Sequence, residues 1–495
     1  MPGGKIQLLA YNENNKYISG NPQITFFKSL YQKHTNFAIE TIEQTITGNM
    51  SLGNIMECKI DKYAGDLLSD IYLEIDVNIN DNYDDNISLS MINYGHNIID
   101  YIEFNIGGLL IDKHYGKWLQ IWNELTDEND MGVNGITCYD TNKCYSNMFT
   151  KHQMMSGIGV HKILDNAYIN PNNDNNLADS NDDKDYYSMN YRKYPGGNTY
   201  YLDANGNIRG KIFIPFNFWF CNKPGLALPL LSILYDDVVI RIKLNKSNNI
   251  YDLDTNNDSK FDFYNNLDHA TPTIFNEDTN LQNHINQLGI VSNDSNVGNI
   301  TDNSKYKLWC DYIFLDEEER NKFLYSNHQY LIEQIQYKEE SISTTDGIIN
   351  NSIIDLTFNH TVKELIWTFQ RKTPLYYSEF LSLGDHNGSI QLLINKNSRF
   401  EEQNVLYFTR YQPYMYHTGR GGVNYNDSIF VYSFSLYPEK FQPSGICNFS
   451  DLQVQLELND IKIVNDNMDI NINIYAINYN ILKISGGSVK LLYGK

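Results

Sequence analysis

The chain is 495 residues long, room for two or more domains with full cores, and 13% of it is aromatic, with 38 Tyr and 23 Phe. So much core-forming material excludes a globally disordered chain. A formal charge of −22 argues against direct nucleic-acid binding, which needs Lys and Arg to displace phosphate counterions.

In chain order, the opening MPGGKIQLLAYNENNKY has no basic region followed by a long apolar run, so no secretory signal is expected and the chain should fold in the cytosol. Over 71–79, Ile71, Leu73, Ile75, Val77 and Ile79 alternate with other residues, the period of a strand with one inward face. KHYGKWLQIWNELTDE (113–128) predicts a helix, with Trp118, Ile121, Trp122 and Leu125 on one apolar face. Residues 165–199 and 245–306 are dominated by Asn and Asp and read as long surface insertions. Between them Asn205-Gly206 is a hairpin signal, because a type I′ turn needs positive φ at both central residues. In FIPFNFWF (213–220) the alternation of Ile212, Ile214, Phe216, Phe218 and Phe220 predicts an inward face rather than a sugar-stacking platform. PGLALPLLSIL (224–234) is too short, and too broken by Pro229, for the ~20 apolar residues of a membrane span.

KLWCDYIFL then leads into LDEEERNKFLYSN (315–327), a helix with acidic residues in its first turn, placed as the connection between two halves. The longest interruption of the second half is expected around 371–427. It contains YFTRYQPYMYHTGRGG (407–422), where Tyr411, Tyr414 and Tyr416 lie near Arg410 and Arg420. That stretch fits a contact loop and a loop packed on its own domain equally well. Leu452, Val454, Leu456 and Leu458, and then Ile470, Ile472, Ile474 and Ala476, alternate again.

The two halves resemble one another. KIFIPFNFWFCNKPGLALPLLSILYDDVVIRIKL (211–244) matches SIFVYSFSLYPEKFQPSGICNFSDLQVQLEL (428–458) in its order of aromatic strand, Pro-Gly or Pro-Ser-Gly corner and second strand. TNFAIETIEQTI (35–46) pairs with HQYLIEQIQYKEESI (328–342), and IIDYIEFNIGG (98–108) with TVKELIWTFQR (361–371). Two such units in one chain imply a tandem β-sandwich.

Chemistry-bearing motifs are absent: there is no GxSxG elbow, P-loop or HExxH. DLDTNND (252–258) sets Asp252, Asp254 and Asn256 at alternate positions, but Asn257 and Phe263 stand where a calcium loop needs Gly and Glu. His34, His114 and His360 read as structural hydrogen-bonding residues, and Glu317, Glu318 and Glu319 as a solvated helix start. Cys58, Cys138, Cys144, Cys221, Cys310 and Cys447 are too few for a disulfide scaffold. Only Cys138 and Cys144 are near enough in sequence to suggest a bridge, at a spacing unlike that of zinc ligands. No catalytic, cofactor-binding or metal residue is expected.

GGKIQLLAYNENNKYISGNPQITFFKSLYQKHTNFAIETIEQTITG resembles the opening of major capsid proteins of nucleocytoplasmic large DNA viruses. GGLLIDKHYGKWLQIWNELT, FIPFNFWFCNKPGLALPLLSILYDDVVIRI and LWCDYIFLDEEERNKFLYSNHQYLIEQIQ continue the resemblance, then FNHTVKELIWTFQ, FVYSFSLYPEKFQPSGICNFS and IYAINYNILKISGG. These blocks are collinear from residue 3 to about 487; the Asn/Asp-rich insertions depart. The resemblance implies an all-β chain of two tandem eight-stranded antiparallel jelly rolls, with an N-terminal arm (1–24), a first unit (25–322) and a second (323–495). It implies a non-enzymatic capsid shell protein whose homotrimers, pseudo-hexagonal capsomers, tile an icosahedral shell assembled in the host cytoplasm. Neighbouring capsomers, minor capsid proteins and inner-membrane proteins are the implied partners. It gives 165–199 and 245–306 to an outward tower and the arm, with corners at Gly3-Gly4 and Gly20-Asn21-Pro22, to the base. The competing readings are a glycan-binding attachment sandwich and a β-sandwich hydrolase with two carboxylates in a cleft.

Overall fold

The computed structural model of the protein describes residues 3–9, 19–29, 31–80, 88–90, 94–126, 201–202, 207–246, 252–254, 301–372, 380–381, 383–419, 427–463 and 469–494. The first unit is built from β1 (Phe37–Gln44), β2 (Ile55–Lys59), β3 (Leu67–Asn80), β4 (Ile99–Ile106), β5 (Leu109–Tyr115), β6 (Asn207–Pro215), β7 (Val238–Leu244) and β8 (Lys305–Leu315). The second uses β9 (His328–Ser343), β10 (Ser352–Leu356), β11 (Thr361–Arg371), β12 (Ser389–Ile394), β13 in two pieces (Asn397–Ser398 and Gln403–Asn404), β14 (Ile429–Ser433), β15 (Val454–Asn459) and β16 (Asp469–Ser485). The sheets run β1-β8-β3-β6 and β2-β7-β4-β5, then β9-β16-β11-β14 and β10-β15-β12-β13, all antiparallel. Every strand of the second unit therefore stands where the strand eight places earlier stands in the first.

Alternation places the cores. Ile71, Leu73, Ile75 and Val77 of β3 and Ile212 and Ile214 of β6 meet Val238, Ile240 and Ile242 of β7 in one buried cluster. Phe216, Phe218 and Phe220 continue that inward face past the end of β6 and are 0–1% exposed, as the sequence predicts. Trp367, Phe369, Phe430, Ile472 and Ile474 form the second core with Leu456 and Leu458.

Two of the three repeat matches align equivalent strands: β1 with β9, and β6–β7 with β14–β15. The third is corrected. IIDYIEFNIGG contains β4, which lies between β7 and β5, whereas TVKELIWTFQR is β11, whose counterpart is β3. Every residue of β11 from Val362 to Arg371 is buried. With both faces covered, it reads as a continuous apolar run rather than an alternating one.

Helix α1 (Gly3–Leu9) has no buried residue, so Gly3-Gly4 is a helix start and not a corner; Asn21, at φ 50°, does turn the chain. Helix α2 (Gly116–Thr126) begins three residues inside the predicted span, because 113–115 complete β5. The change from strand to helix falls on Gly116, where a Cβ would lie 2.2 Å from the carbonyl oxygens of His96 and Ile99. Gly116→Ala forces backbone apart; a loss of about 1–3 kcal/mol is expected, read as a lower urea midpoint at unchanged slope. Helix α3 (Glu317–Tyr325) forms at the predicted connection, capped by Asp316, whose side chain accepts from the Glu319 N–H at 2.9 Å. The interruption at 371–427 is not one loop: it holds β12, β13, a π-helical turn (Tyr407–Tyr411) and α4 (Gln412–Tyr416).

Residues 165–199, most of 245–306, Asn205-Gly206, Cys138 and Cys144 lie outside the described residues. The strands flanking Asn205-Gly206 do pair, Tyr201 with Arg209 and Leu202 with Ile208. The anchors of the insertions converge: Asn80 pairs with Asn207 and with Thr301, and residues 252–254 pair with 88–90. The long excursions of the first unit thus spring from one end of its sandwich.

Candidate assembly surfaces

The seam between the two units is built from both apolar and polar contacts. The face of α2 predicted from spacing does not turn into its own sandwich. Trp118, Ile121 and Leu125 pack on the outer side of the second unit's sheet, against Ile366, Ile429, Val431, Tyr475 and Ile477, all at most 2% exposed. Each such side chain contributes about 2 kcal/mol. Trp118 lies 5.3 Å from Tyr475, centroid to centroid, and stacks on Trp122 at 5.4 Å. Leu119, one residue on, faces the first core instead. Along the strands, the Gln334 side chain donates to the Ile111 carbonyl, and the Ile335 N–H to Asp112 Oδ1 at 3.1 Å. Near the C-terminal hairpin, the Leu234 and Tyr235 N–H groups donate to the Gly487 carbonyl.

A buried ionic cluster closes the seam. Both ring nitrogens of His417 face carboxylates, Nε2 with Glu364 Oε1 at 2.8 Å and Nδ1 with Glu439 Oε1 at 3.0 Å. Only the imidazolium can donate at both positions. Burial alone would lower the His417 pKa, but Glu364 and Glu439 outweigh it and hold it at about 9. The next residues cap α2: Thr418 Oγ1 donates to the Thr126 carbonyl at 3.0 Å and the Gly419 N–H to the Leu125 carbonyl at 2.7 Å. The imidazolium therefore sits by the negative end of that helix. At the bulge where β11 slips against β16, Lys363 is 1% exposed, with Nζ on Glu333 at 2.5 Å and on the Pro438 carbonyl at 2.7 Å.

Sequence reasoning missed this cluster, although Lys363-Glu364 inside the apolar run TVKELIWTFQR was its visible signal. The residues weighed for chemistry are dispersed. His114 is buried, bonded to Asp112 at 2.8 Å and stacked on Phe218 at 4.7 Å. His34 is exposed beside the Thr35 carbonyl, and the N–H of His360 donates to Ser450 Oγ. Asp252 and Asp254 fall in a short paired strand; Asn256, Asn257 and Phe263 lie outside the described residues. Glu317, Glu318 and Glu319 form the first turn of α3. Cys58, Cys221, Cys310 and Cys447 are free, and burial pushes the Cys58 thiol up to about 12 and that of Cys310 well above its usual value, which suppresses thiolate chemistry. Among the described residues, no group of three or more His, Cys, Asp or Glu could hold a metal ion, and no helix is long and apolar enough to cross a membrane. An open cleft between α3 and the 60–66 turn offers one carboxylate, Asp66, already bound to Arg320 at 2.8 Å and to the Leu315 N–H. The spaced carboxylate pair that a glycosidase requires is not in that cleft.

Among the described residues, two of the surfaces that expose apolar side chains bear on assembly. One is the start of the chain with the edge strand β1: Phe26 is 89% exposed, Phe27 98% and Ile39 57%. The other is the helical segment after β13, where Tyr414 is 83% exposed. Within 407–419, Phe408 and Thr409 are buried in the unit while Tyr411 and Tyr414 are exposed; Arg420 and the rest of the stretch lie outside the described residues. Exposed Tyr and Met flanked by charge have the composition of a protein interface.

Residues 25–316 match the family model described as "Major capsid protein N-terminus", and residues 319–489 the one described as "Large eukaryotic DNA virus major capsid protein". The chain is 31% identical to the "Major capsid protein" of Pyramimonas orientalis virus and 27% identical to that of Paramecium bursaria Chlorella virus 1, with 100% of each chain covered in both cases. In fold it is similar to the PBCV-1 virus capsid, at TM-score 0.64 and 24% identity over 95% of this chain and 100% of that one. It is similar also to the Faustovirus major capsid protein, at TM-score 0.58 and 11% identity over 94% and 93%.

Proposed function

Because this chain belongs to the major capsid protein family of large eukaryotic DNA viruses, with the double jelly-roll fold and a place in the virion shell, we propose that three copies close into one capsomer of pseudo-hexagonal outline. The observation that carries the reading is the recurrence of the same sheet order twice within one chain. Three copies then present six similar units, so a threefold object fits a hexagonal lattice. Each copy-to-copy contact is heterologous, and such contacts give a finite particle only when the rotation closes. The units span 25–322 and 323–495. The arm, 1–24, docks beneath the shell on minor capsid and inner-membrane proteins, a role suited to a helix that buries nothing on its own chain. The insertions at 165–199 and 245–306 form the outward tower, favoured by the convergence of their anchors at one end. Assembly takes place in the host cytoplasm, without catalysis and without direct contact with nucleic acid, in keeping with the charge of −22.

Light scattering on the purified protein, with negative-stain images of the same peak, tests the reading. Three chain masses of 57.4 kDa and a hexagonal outline are expected. A stable monomer with two lobes would overturn it.

A further inference from the structure

We propose that the helical segment Tyr407–Tyr416 of one copy seats on the outer face of the β1-β8-β3-β6 sheet of a second copy, repeating between chains the contact that α2 makes within one. This rests on the capsomer reading.

The template is the seam. Helix α2 comes directly after β5, and the Tyr407–Tyr416 segment comes after β13, which holds the place of β5 in the second unit. The two segments are built alike. Each sends one side chain into its own core, Leu119 in α2 and Phe408 in its counterpart. Each stacks the aromatic before that residue on the one four positions later: Trp118 on Trp122 at 5.4 Å and 23°, Tyr407 on Tyr411 at 5.4 Å and 18°. They differ in the fate of their outward face. Leu125 is buried under the second unit's sheet, whereas Tyr411, Tyr414 and Met415 are 52%, 83% and 51% exposed.

The receiving faces differ in the same sense. The outer face of the second unit's sheet is closed over by α2. The equivalent face of the first unit carries Tyr72 between Trp309 and Phe213, stacked on the first at 6.4 Å and edge-on to the second at 6.2 Å, and all three are half-buried. Glu43–Lys307 and Glu74–Lys211 pairs, at 3.0 and 2.8 Å, frame it. An aromatic floor with a charged rim fits a segment that offers Tyr and Met edges with phenol groups able to reach the rim. Within one chain the second unit's sheet is already covered by α2 while Tyr411, Tyr414 and Met415 stay exposed, so the occupant of the first unit's free face is a second copy.

The test is the Tyr414→Glu/Met415→Glu variant beside the wild type. Both residues are exposed on the single chain, so an unchanged far-UV spectrum and a cooperative melt are expected while the mass falls from three chains to one. In a second measurement, Tyr414→Cys/Lys211→Cys treated with a short bismaleimide gives covalent multimers that neither single variant gives. A wild type that forms trimers, with a variant that stays trimeric and a cysteine pair that does not link, overturns the helix-on-sheet contact and leaves the capsomer standing. A monomeric wild type overturns the capsomer reading and this inference with it. Should the double Glu variant lose its fold, the cysteine pair decides: linked copies support the contact and unlinked trimers overturn it.

Discussion

Phe218→Asp abolishes folding. The side chain is fully buried, 5.2 Å from Phe104, 6.1 Å from Phe216, 5.8 Å from Phe220 and 4.7 Å from His114 between ring centroids. Truncating a buried Phe alone costs about 3–5 kcal/mol. An unpaired carboxylate in its place adds several more or must take up a proton. The sum reaches the ~5–15 kcal/mol that holds a typical domain together. The outcome is insoluble protein or a chain without a cooperative melt. Trp219→Asp acts in the same direction, since Trp219 is 3% exposed and sits edge-on to both Phe104 and Phe220. Soluble Phe218→Asp oligomers with a wild-type circular dichroism spectrum would show that these rings are not the core.

His417→Ala lowers stability by about 3–5 kcal/mol at neutral pH, because it leaves Glu364 buried beside a cavity with no cation. It also removes a pH dependence. The folded pKa of about 9 stands above the unfolded value of about 6.5. The stabilisation is therefore fully present below about pH 6.5 and is lost as the pH rises through about 9. A gap of that size corresponds to about 3 kcal/mol. Urea melts at pH 6, 7.5 and 9 should show the wild type losing its advantage over His417→Ala across that range. Parallel pH profiles for the two proteins would mean that the imidazole is not held between the carboxylates. Since Thr418 and Gly419 bind the end of α2, the loss should loosen the seam first. Proteolysis near Thr126 reports that directly.

Whatever depends on local period could be read in the sequence. The inward faces of β3, β6, β15 and β16, the acidic start of α3 and the helical face of α2 are properties of neighbouring residues, and each is found in place. The features that escaped depend on which elements cover which. Trp118, Ile121 and Leu125 announce an apolar face but not that it faces the other unit. Because α2 lies over β11, that strand loses its alternation, and its sequence resembles β4 more than its true counterpart β3. Lys363 and Glu364 sit at a β-bulge, where the pairing of β11 with β16 slips between Val362 and Glu364. Each meets its own counter-charge, Glu333 or His417, from distant sequence. A single chain offers no signal that would join them, beyond the oddity of two charges in an apolar run.

The connection through α3 is short, so the joint between α2 and the second unit forms at an effective concentration on the order of millimolar, whatever the amount of protein present. Any joint between separate chains forms only as fast as chains meet. In the proposed capsomer, joining two similar units in one polypeptide thus divides the work in time: half of the joints are complete when a chain has folded, and the remainder respond to supply. Dilution should then reverse association without unfolding the parts, and a rise in synthesis should set association going with no other trigger.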